Sequence, residues 1–201
     1  MNREDGDSTA GHEYAERLRR LDTSPWRRRL NVQAPYRWNI RRLHLGRTLD
    51  VGCGLGRNLA HLDGNGVGID HNPESIAIAK ARGLTALTIE EFFASEYAKP
   101  AQFDSLLFAH VIEHVSPGYA IELVSGYLKF LRPGGIVCFI TPQESGYKTD
   151  KTHVTFVDFD GLARLSQKLG LVEQRRYSFP FPRFVGRAFP YNEFVMVTSL
   201  T

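Results

Sequence analysis

The chain has 201 residues, 42% of them apolar and 23% charged, a balance that fits one globular domain with a buried core and excludes a disordered or fibrous chain. The longest unbroken apolar run, residues 136–140, falls far below the roughly 20 residues of a membrane span, and residues 1–5 lack the apolar stretch of a signal peptide, so a soluble, cytoplasmic protein is expected. The formal charge of +3 is uneven, because residues 1–47 carry 11 Lys and Arg against 6 Asp and Glu. Arg17, Arg19, Arg20, Arg27, Arg28, Arg29, Arg41 and Arg42 make that front basic; a solvated helix face is its first reading and contact with nucleic acid the second. Cys53 and Cys138 form neither a disulfide framework nor a metal-ligand spacing and are expected to be reduced.

Residues 1–10 are polar and read as a flexible tail, and residues 11–46 as a short helical segment with helices over 12–21 and 33–45. Pro25 lies between the two and Pro35 near the start of the second, where a helix tolerates proline. Residues 47–201 read as one α/β domain. Strands are expected over 48–51, 67–69, 84–89, 103–109, 135–141, 171–178 and 193–199, and helices over 58–62, 73–82, 119–131 and 159–169. This alternation predicts a parallel sheet with helices on both faces. Only about 14 residues separate the last two strands, too few for a helical crossover, so these two are expected to pair antiparallel.

The first strand runs into Leu49-Asp50-Val51-Gly52-Cys53-Gly54-Leu55-Gly56, an apolar strand end followed by alternate glycines that let a ligand approach the backbone. Alone, such a turn is also compatible with a tight connection that holds no ligand. Asp70 follows twenty residues after Asp50, at the end of the second strand, where a carboxylate takes the hydroxyls of a ribose. The spacing Gly-x-Gly-x-Gly, preceded by an acid, disfavours a dinucleotide. At these residues, and at Leu131-Arg132-Pro133-Gly134-Gly135, the sequence resembles the class I S-adenosylmethionine-dependent methyltransferases across residues 33–178. The resemblance implies a Rossmann-like seven-stranded, mostly parallel sheet with the last strand antiparallel, preceded by the short helical segment. It also implies S-adenosylmethionine as cofactor. Asp50, Gly52 and Gly54 would line its methionine end, Cys53 would lie beneath it as a small residue, Asp70 would hold the ribose, His71 would wall the adenine, and Glu90 or Glu91 would lie near the adenine amino group. Asn58 and Ala109 complete that set. Arg37-Trp38-Asn39 resembles the Arg-x-Asn of ubiquinone-biosynthesis O-methyltransferases, which makes Arg37 a candidate clamp for the cofactor carboxylate; a plain surface arginine is the alternative.

The fourth strand leads into His110-Val111-Ile112-Glu113-His114, a loop dense with ionisable groups, and a later His153 stands in Asp150-Lys151-Thr152-His153-Val154. This is similar to the Glu-x-x-Glu-His motif of ubiquinone-biosynthesis and small-RNA 2′-O-methyltransferases, which holds magnesium and in the RNA enzymes is completed by a later histidine. The resemblance implies Glu113, His114 and His153 as ligands of a Mg2+ ion. His110 departs from the motif, removing one negative charge. The alternative is that Glu113 and His114 only anchor the loop. Stripping a hydroxyl of its proton needs a base, and His153 is the first choice and His110 the second, each with an ordinary loop histidine as its alternative.

The segment over 177–191 packs six aromatic residues and two arginines and offers faces for stacking on an acceptor, or else covers a sheet edge. The leading expectation is an O-methyltransferase acting on a hydroxyl of a sugar or oligosaccharide, such as a bacterial polysaccharide, with Mg2+ assisting. A phenol or quinol acceptor, RNA 2′-O-methylation, and a non-catalytic S-adenosylmethionine-binding protein are the alternatives. The oligomeric state is not readable from the sequence.

Overall fold

The computed structural model describes residues 33–200. The expected tail over 1–10, the helix over 12–21 and the arginines from Arg17 to Arg29 lie outside the described residues. Seven strands form one sheet in the order β3-β2-β1-β4-β5-β7-β6, and the described residues divide into two compact units, one ending at Tyr97 and the other starting at Ala98. Among the described residues no helix is long and apolar enough to cross a membrane.

In the first unit, α1 (Ala34–Arg42) has a proline in its opening turn and Arg41 and Arg42 in its last, each where a helix favours it. Three parallel strands follow: β1 (Thr48–Val51), β2 (Gly66–Asp70) and β3 (Ala86–Thr88), with Asp50 opposite Gly68 and Asp70 opposite Thr88. Both flanking connections are short. The helix expected over 58–62 is a single 3-10 turn, Leu59–His61, because Gly64 and Gly66 follow too soon for a longer helix to nucleate. Between β2 and β3, α2 (Pro73–Ala81) starts on Asn72, whose side chain accepts from the Glu74 and Ser75 amides. The strand expected over 84–89 ends at Thr88, which caps α3 (Ile89–Phe93) in a capping box with Glu91. Cys53, Leu59, Ile76, Ala79 and Ala86 form the small core under this half of the sheet.

The second unit begins with β4 (Phe103–Ala109), followed by α4 (Pro117–Leu128) and β5 (Leu131–Pro142), which is parallel to β4 and longer than expected because it includes the Arg-Pro-Gly-Gly segment. Val137, Cys138 and Phe139 are all fully buried, as in a strand covered on both faces. A short helix, α5 (Glu144–Tyr147), precedes α6 (Phe159–Lys168), which is capped by Asp158. The chain then forms β6 (Leu171–Phe179), a 3-10 turn at Arg183–Arg187, and β7 (Glu193–Leu200). β7 lies between β5 and β6 and is antiparallel to both, as the short connection requires.

Candidate functional site

In the first unit the glycine-rich turn is built almost wholly from backbone. Gly52, Gly54 and Gly56 have φ of 75°, 53° and 79°, the left-handed region that glycine enters without strain. A Cβ on Gly56 would also lie 2.3 Å from Leu84 Cδ1. The Gly52 and Cys53 amides both donate to the Ile69 carbonyl, at 2.8 and 3.0 Å, and the Gly54 amide donates to Asp70 Oδ2 at 2.8 Å. Asp70 Oδ1 accepts from the Asn72 amide at 2.8 Å. With these amides engaged inside the protein, the turn is not a phosphate cradle, in agreement with the spacing that disfavours a dinucleotide. One glycine absent from the sequence reading is essential here. A Cβ on Gly68 would lie 2.7 Å from Cys53 Sγ and 2.8 Å from its Cβ, so β2 admits Cys53 only because Gly68 has no side chain, and a glycine inside a strand is the signal that could have marked it. The Cys53 thiol is buried and its pKa is pushed up by that burial, which fits a packing role.

Asp50 is 1% exposed, and among the described residues neither carboxylate oxygen has a hydrogen-bond partner. Burial raises its pKa to about 7, opposed by Arg57 and helped by Asp70. An orphaned buried carboxylate is costly unless a cation meets it. Nearby, the buried His61 also carries a ring nitrogen, Nδ1, without a partner among the described residues, and its pKa falls to about 4 through burial, Arg57, Arg37 and Arg41. Arg37 is thus part of a cationic neighbourhood around His61, which sequence reasoning missed because burial of that histidine has no local signal. His71 is exposed, with Nδ1 3.4 Å from Asp70 Oδ1, and Asn58 opens the 3-10 turn without capping it through its side chain. Glu90 is exposed on the first turn of α3. Glu91 corrects the expectation of an adenine contact: its carboxylate accepts from the Thr88 amide at 2.9 Å and pairs with Lys80 at 2.8 Å, which makes it a helix cap.

In the second unit β4 ends at the buried Ala109, and His110 follows with φ of 60°, a left-handed conformation that costs a non-glycine residue energy. His110 Nδ1 lies 3.2 Å from Glu113 Oε1 and Nε2 2.9 Å from Glu193 Oε1. Burial alone would lower the His110 pKa, but its hydrogen bonds to Glu113 and Glu193 raise it to about 9. An imidazolium with both nitrogens donating cannot accept a proton, so His110 is not the second base that the sequence suggested. Glu193, at the start of β7, is a further residue that sequence reasoning missed.

Glu113 is 0% exposed, and its Oε2 has no hydrogen-bond partner among the described residues. Glu113, His114 and His153 each offer a ligand atom within 4.8 Å of the others. The two loops are stitched together, since the Val154 and Thr155 amides both donate to the Glu113 carbonyl, at 2.8 and 3.0 Å. His153 Nδ1 donates to the Tyr147 carbonyl at 2.7 Å, and the Tyr147 ring stacks on the imidazole at 5.2 Å. His114 Nδ1 meets the Thr152 carbonyl at 3.2 Å and the Thr152 hydroxyl at 3.1 Å, while that hydroxyl donates to Asp150 Oδ1 at 2.8 Å. A carbonyl only accepts, so both rings carry a proton on Nδ1 and, when neutral, their lone pair on Nε2. The His114 pKa is lowered, chiefly by burial, which favours that neutral form.

A family model for the methyltransferase domain matches residues 12–174. The chain belongs to the methyltransferase domain family. Over 106 residues it is 34% identical to a ubiquinone biosynthesis O-methyltransferase from Colwellia psychrerythraea, a match covering 48% of this chain and 42% of that protein, so it spans less than half of that relative's length. Among solved structures it resembles a SAM-dependent methyltransferase from Archaeoglobus fulgidus, with a TM-score of 0.65 and 16% identity over 82% of this chain and 92% of that one. It also resembles magnesium protoporphyrin IX methyltransferase from Synechocystis with bound S-adenosylhomocysteine, with a TM-score of 0.67 and 11% identity over 98% of each chain. At these identities the likeness is one of fold.

The chain thus carries a methyltransferase domain, with the fold of methyltransferases that use S-adenosylmethionine. The residues of the first unit fit that cofactor on chemical grounds. S-adenosylmethionine carries an ammonium group, and Asp50 is a buried carboxylate lacking a partner among the described residues.

Proposed function

We propose that this methyltransferase acts on a hydroxyl oxygen of a sugar or oligosaccharide, with a divalent cation held by Glu113, His114 and His153. The observation that carries this reading is Glu113 Oε2, buried and unpartnered among the described residues, in a cluster with two histidines. When bound, S-adenosylmethionine supplies a methyl group on a sulfonium, and a divalent cation supplies positive charge that makes a hydroxyl more acidic. The protein's part is to bind and orient both and to manage the proton. In the first unit Asp50 takes the cofactor's ammonium group, Gly52, Gly54, Cys53 and Asn58 shape the turn beside it, Asp70 and His71 serve the ribose and adenine, and Arg37 is the candidate partner of the carboxylate. Glu90 serves the adenine amino group, and Ala109 is the small residue at the end of β4.

In the second unit the His153 lone pair has two possible uses, which exclude each other. With a cation bound it is a ligand, and without one it accepts the acceptor's proton. Treatment with a chelator separates the two. Loss of transfer supports the cation, whereas unchanged transfer that His153→Gln abolishes supports the base.

A sugar acceptor is supported by the exposed rings of Phe181, Phe184 and Tyr191, which offer apolar faces for stacking. A phenol or quinol is the second reading, favoured by the ubiquinone-pathway relative. The test is transfer of labelled methyl from S-adenosylmethionine to matched pools of oligosaccharides, catechols and RNA. Label in the oligosaccharide pool is expected; label only in catechols or RNA would overturn the proposed acceptor.

A further inference from the structure

We infer that the Glu113, His114 and His153 cluster takes a transition-metal dication such as Mn2+, Co2+ or Zn2+ in preference to Mg2+. This rests on the reading of the cluster as a cation site and names a different ion from the Mg2+ that the family resemblance implies. Magnesium demands near-octahedral oxygen ligands and gives up its water reluctantly, whereas imidazole nitrogen suits the first-row transition metals. The donor set here is poor in oxygen. Glu113 contributes one carboxylate, and its Oε1 is already engaged by His110, which leaves Oε2 as the oxygen available to an ion. The other two members are imidazoles.

A second carboxylate would restore an oxygen-rich site, and the nearby geometry denies it. The motif position that could carry one holds His110, and the carboxylate brought in by β7, Glu193, is hydrogen-bonded to His110 Nε2 at 2.9 Å. Both ring nitrogens of His110 are taken, so it adds no ligand atom. The imidazole arrangement also matches that of metal ligands, which hold one ring nitrogen on a carbonyl and present the other. His153 does so through Tyr147, and His114 through Thr152, itself held by Asp150. Two histidines and one carboxylate, with further positions left for substrate oxygens, form a donor set typical of transition-metal sites.

The test uses the full-length protein, stripped with chelator, dialysed, and titrated calorimetrically with Co2+, Mn2+ and Mg2+, with the visible spectrum of Co2+ as a second readout. One Co2+ per chain is expected, bound at least roughly 100-fold more tightly than Mg2+, with a visible band characteristic of nitrogen ligation. His114→Gln and His153→Gln are each expected to weaken Co2+ binding and shift that band, while S-adenosylmethionine affinity, which reports folding, is unchanged. Equal affinity for Mg2+ and Co2+, or Co2+ binding that survives both variants, would overturn the inference. Transfer lost on stripping and restored by Mg2+ but not by Co2+ or Mn2+ would overturn it while leaving cation-assisted transfer standing. Full transfer by a stripped protein that binds none of these cations would overturn both.

Discussion

The glycine-rich turn of the first unit and the histidine cluster of the second solve the problem of binding in opposite ways. In the turn, successive amides are satisfied by Ile69 and Asp70, and beside it the Asp50 carboxylate has no hydrogen-bond partner among the described residues. In the cluster, side chains from two loops are anchored at one end, by Tyr147, Thr152 and His110, so that ligand atoms remain at the other. A backbone-built site fixes shape and tolerates few side chains, whereas a side-chain-built site fixes lone pairs and depends on the groups that orient them.

If that division holds, the largest effect comes from Glu113→Gln, which should slow methyl transfer by about 100-fold or more while leaving S-adenosylmethionine affinity unchanged in calorimetry. Asp50→Asn should do the reverse, weakening cofactor binding by roughly 10- to 100-fold, as for loss of a charged hydrogen bond, with Co2+ binding untouched. The Asp50 carboxyl titrates near 7 rather than at 3.8 because it is buried, so it must lose a proton to meet an ammonium group. Cofactor affinity should therefore rise with pH up to about 7 and level off above it, and Asp50→Asn should flatten that profile.

Smaller effects sharpen the contrast. Gly68→Ala should lower stability by about 1–3 kcal/mol, read from the denaturant midpoint, because a methyl group there overlaps Cys53. Thr152→Val should weaken Co2+ binding about tenfold without altering cofactor affinity, since it removes an outer hydrogen bond to His114. The smallest effect is on pH stability. The folded-state pKa of His110, about 9, lies above its ordinary 6.5, so the folded protein holds the extra proton between these values. That contribution is complete below about 6.5 and is lost as pH rises through 9. Denaturation midpoints measured across this window should fall with pH, and less steeply in Glu193→Gln.

Much of the first unit was legible because its signals are local. The apolar strand end and the alternate glycines lie within a few residues of one another, Asp70 follows at a spacing of twenty residues from Asp50, and the capping box Thr88-Ile89-Glu90-Glu91 is a local pattern too, although its first two residues overlap the strand expected over 84–89. The antiparallel last strand followed from the length of one connection. The second unit was legible only in part. Glu113, His114 and His153 were singled out by resemblance, but the role of His110 depends on Glu193, 83 residues away in sequence and delivered by the pairing of β7 with β5. No local pattern carries a partner at that distance. The burial of His61 likewise arises only when strands and turns pack, whereas Gly68 leaves a local trace as a glycine inside a strand.

The measurement that bears most directly on this division of labour is the rate of methyl transfer from saturating S-adenosylmethionine by wild-type protein, Glu113→Gln and Asp50→Asn, with cofactor affinity determined on the same preparations. We expect Glu113→Gln to bind the cofactor like wild type and transfer poorly, and Asp50→Asn to bind it weakly and regain transfer as its concentration is raised. Equal loss of both properties in each variant, or full transfer by Glu113→Gln, would contradict the assignment of cofactor binding to the turn and acceptor chemistry to the cluster.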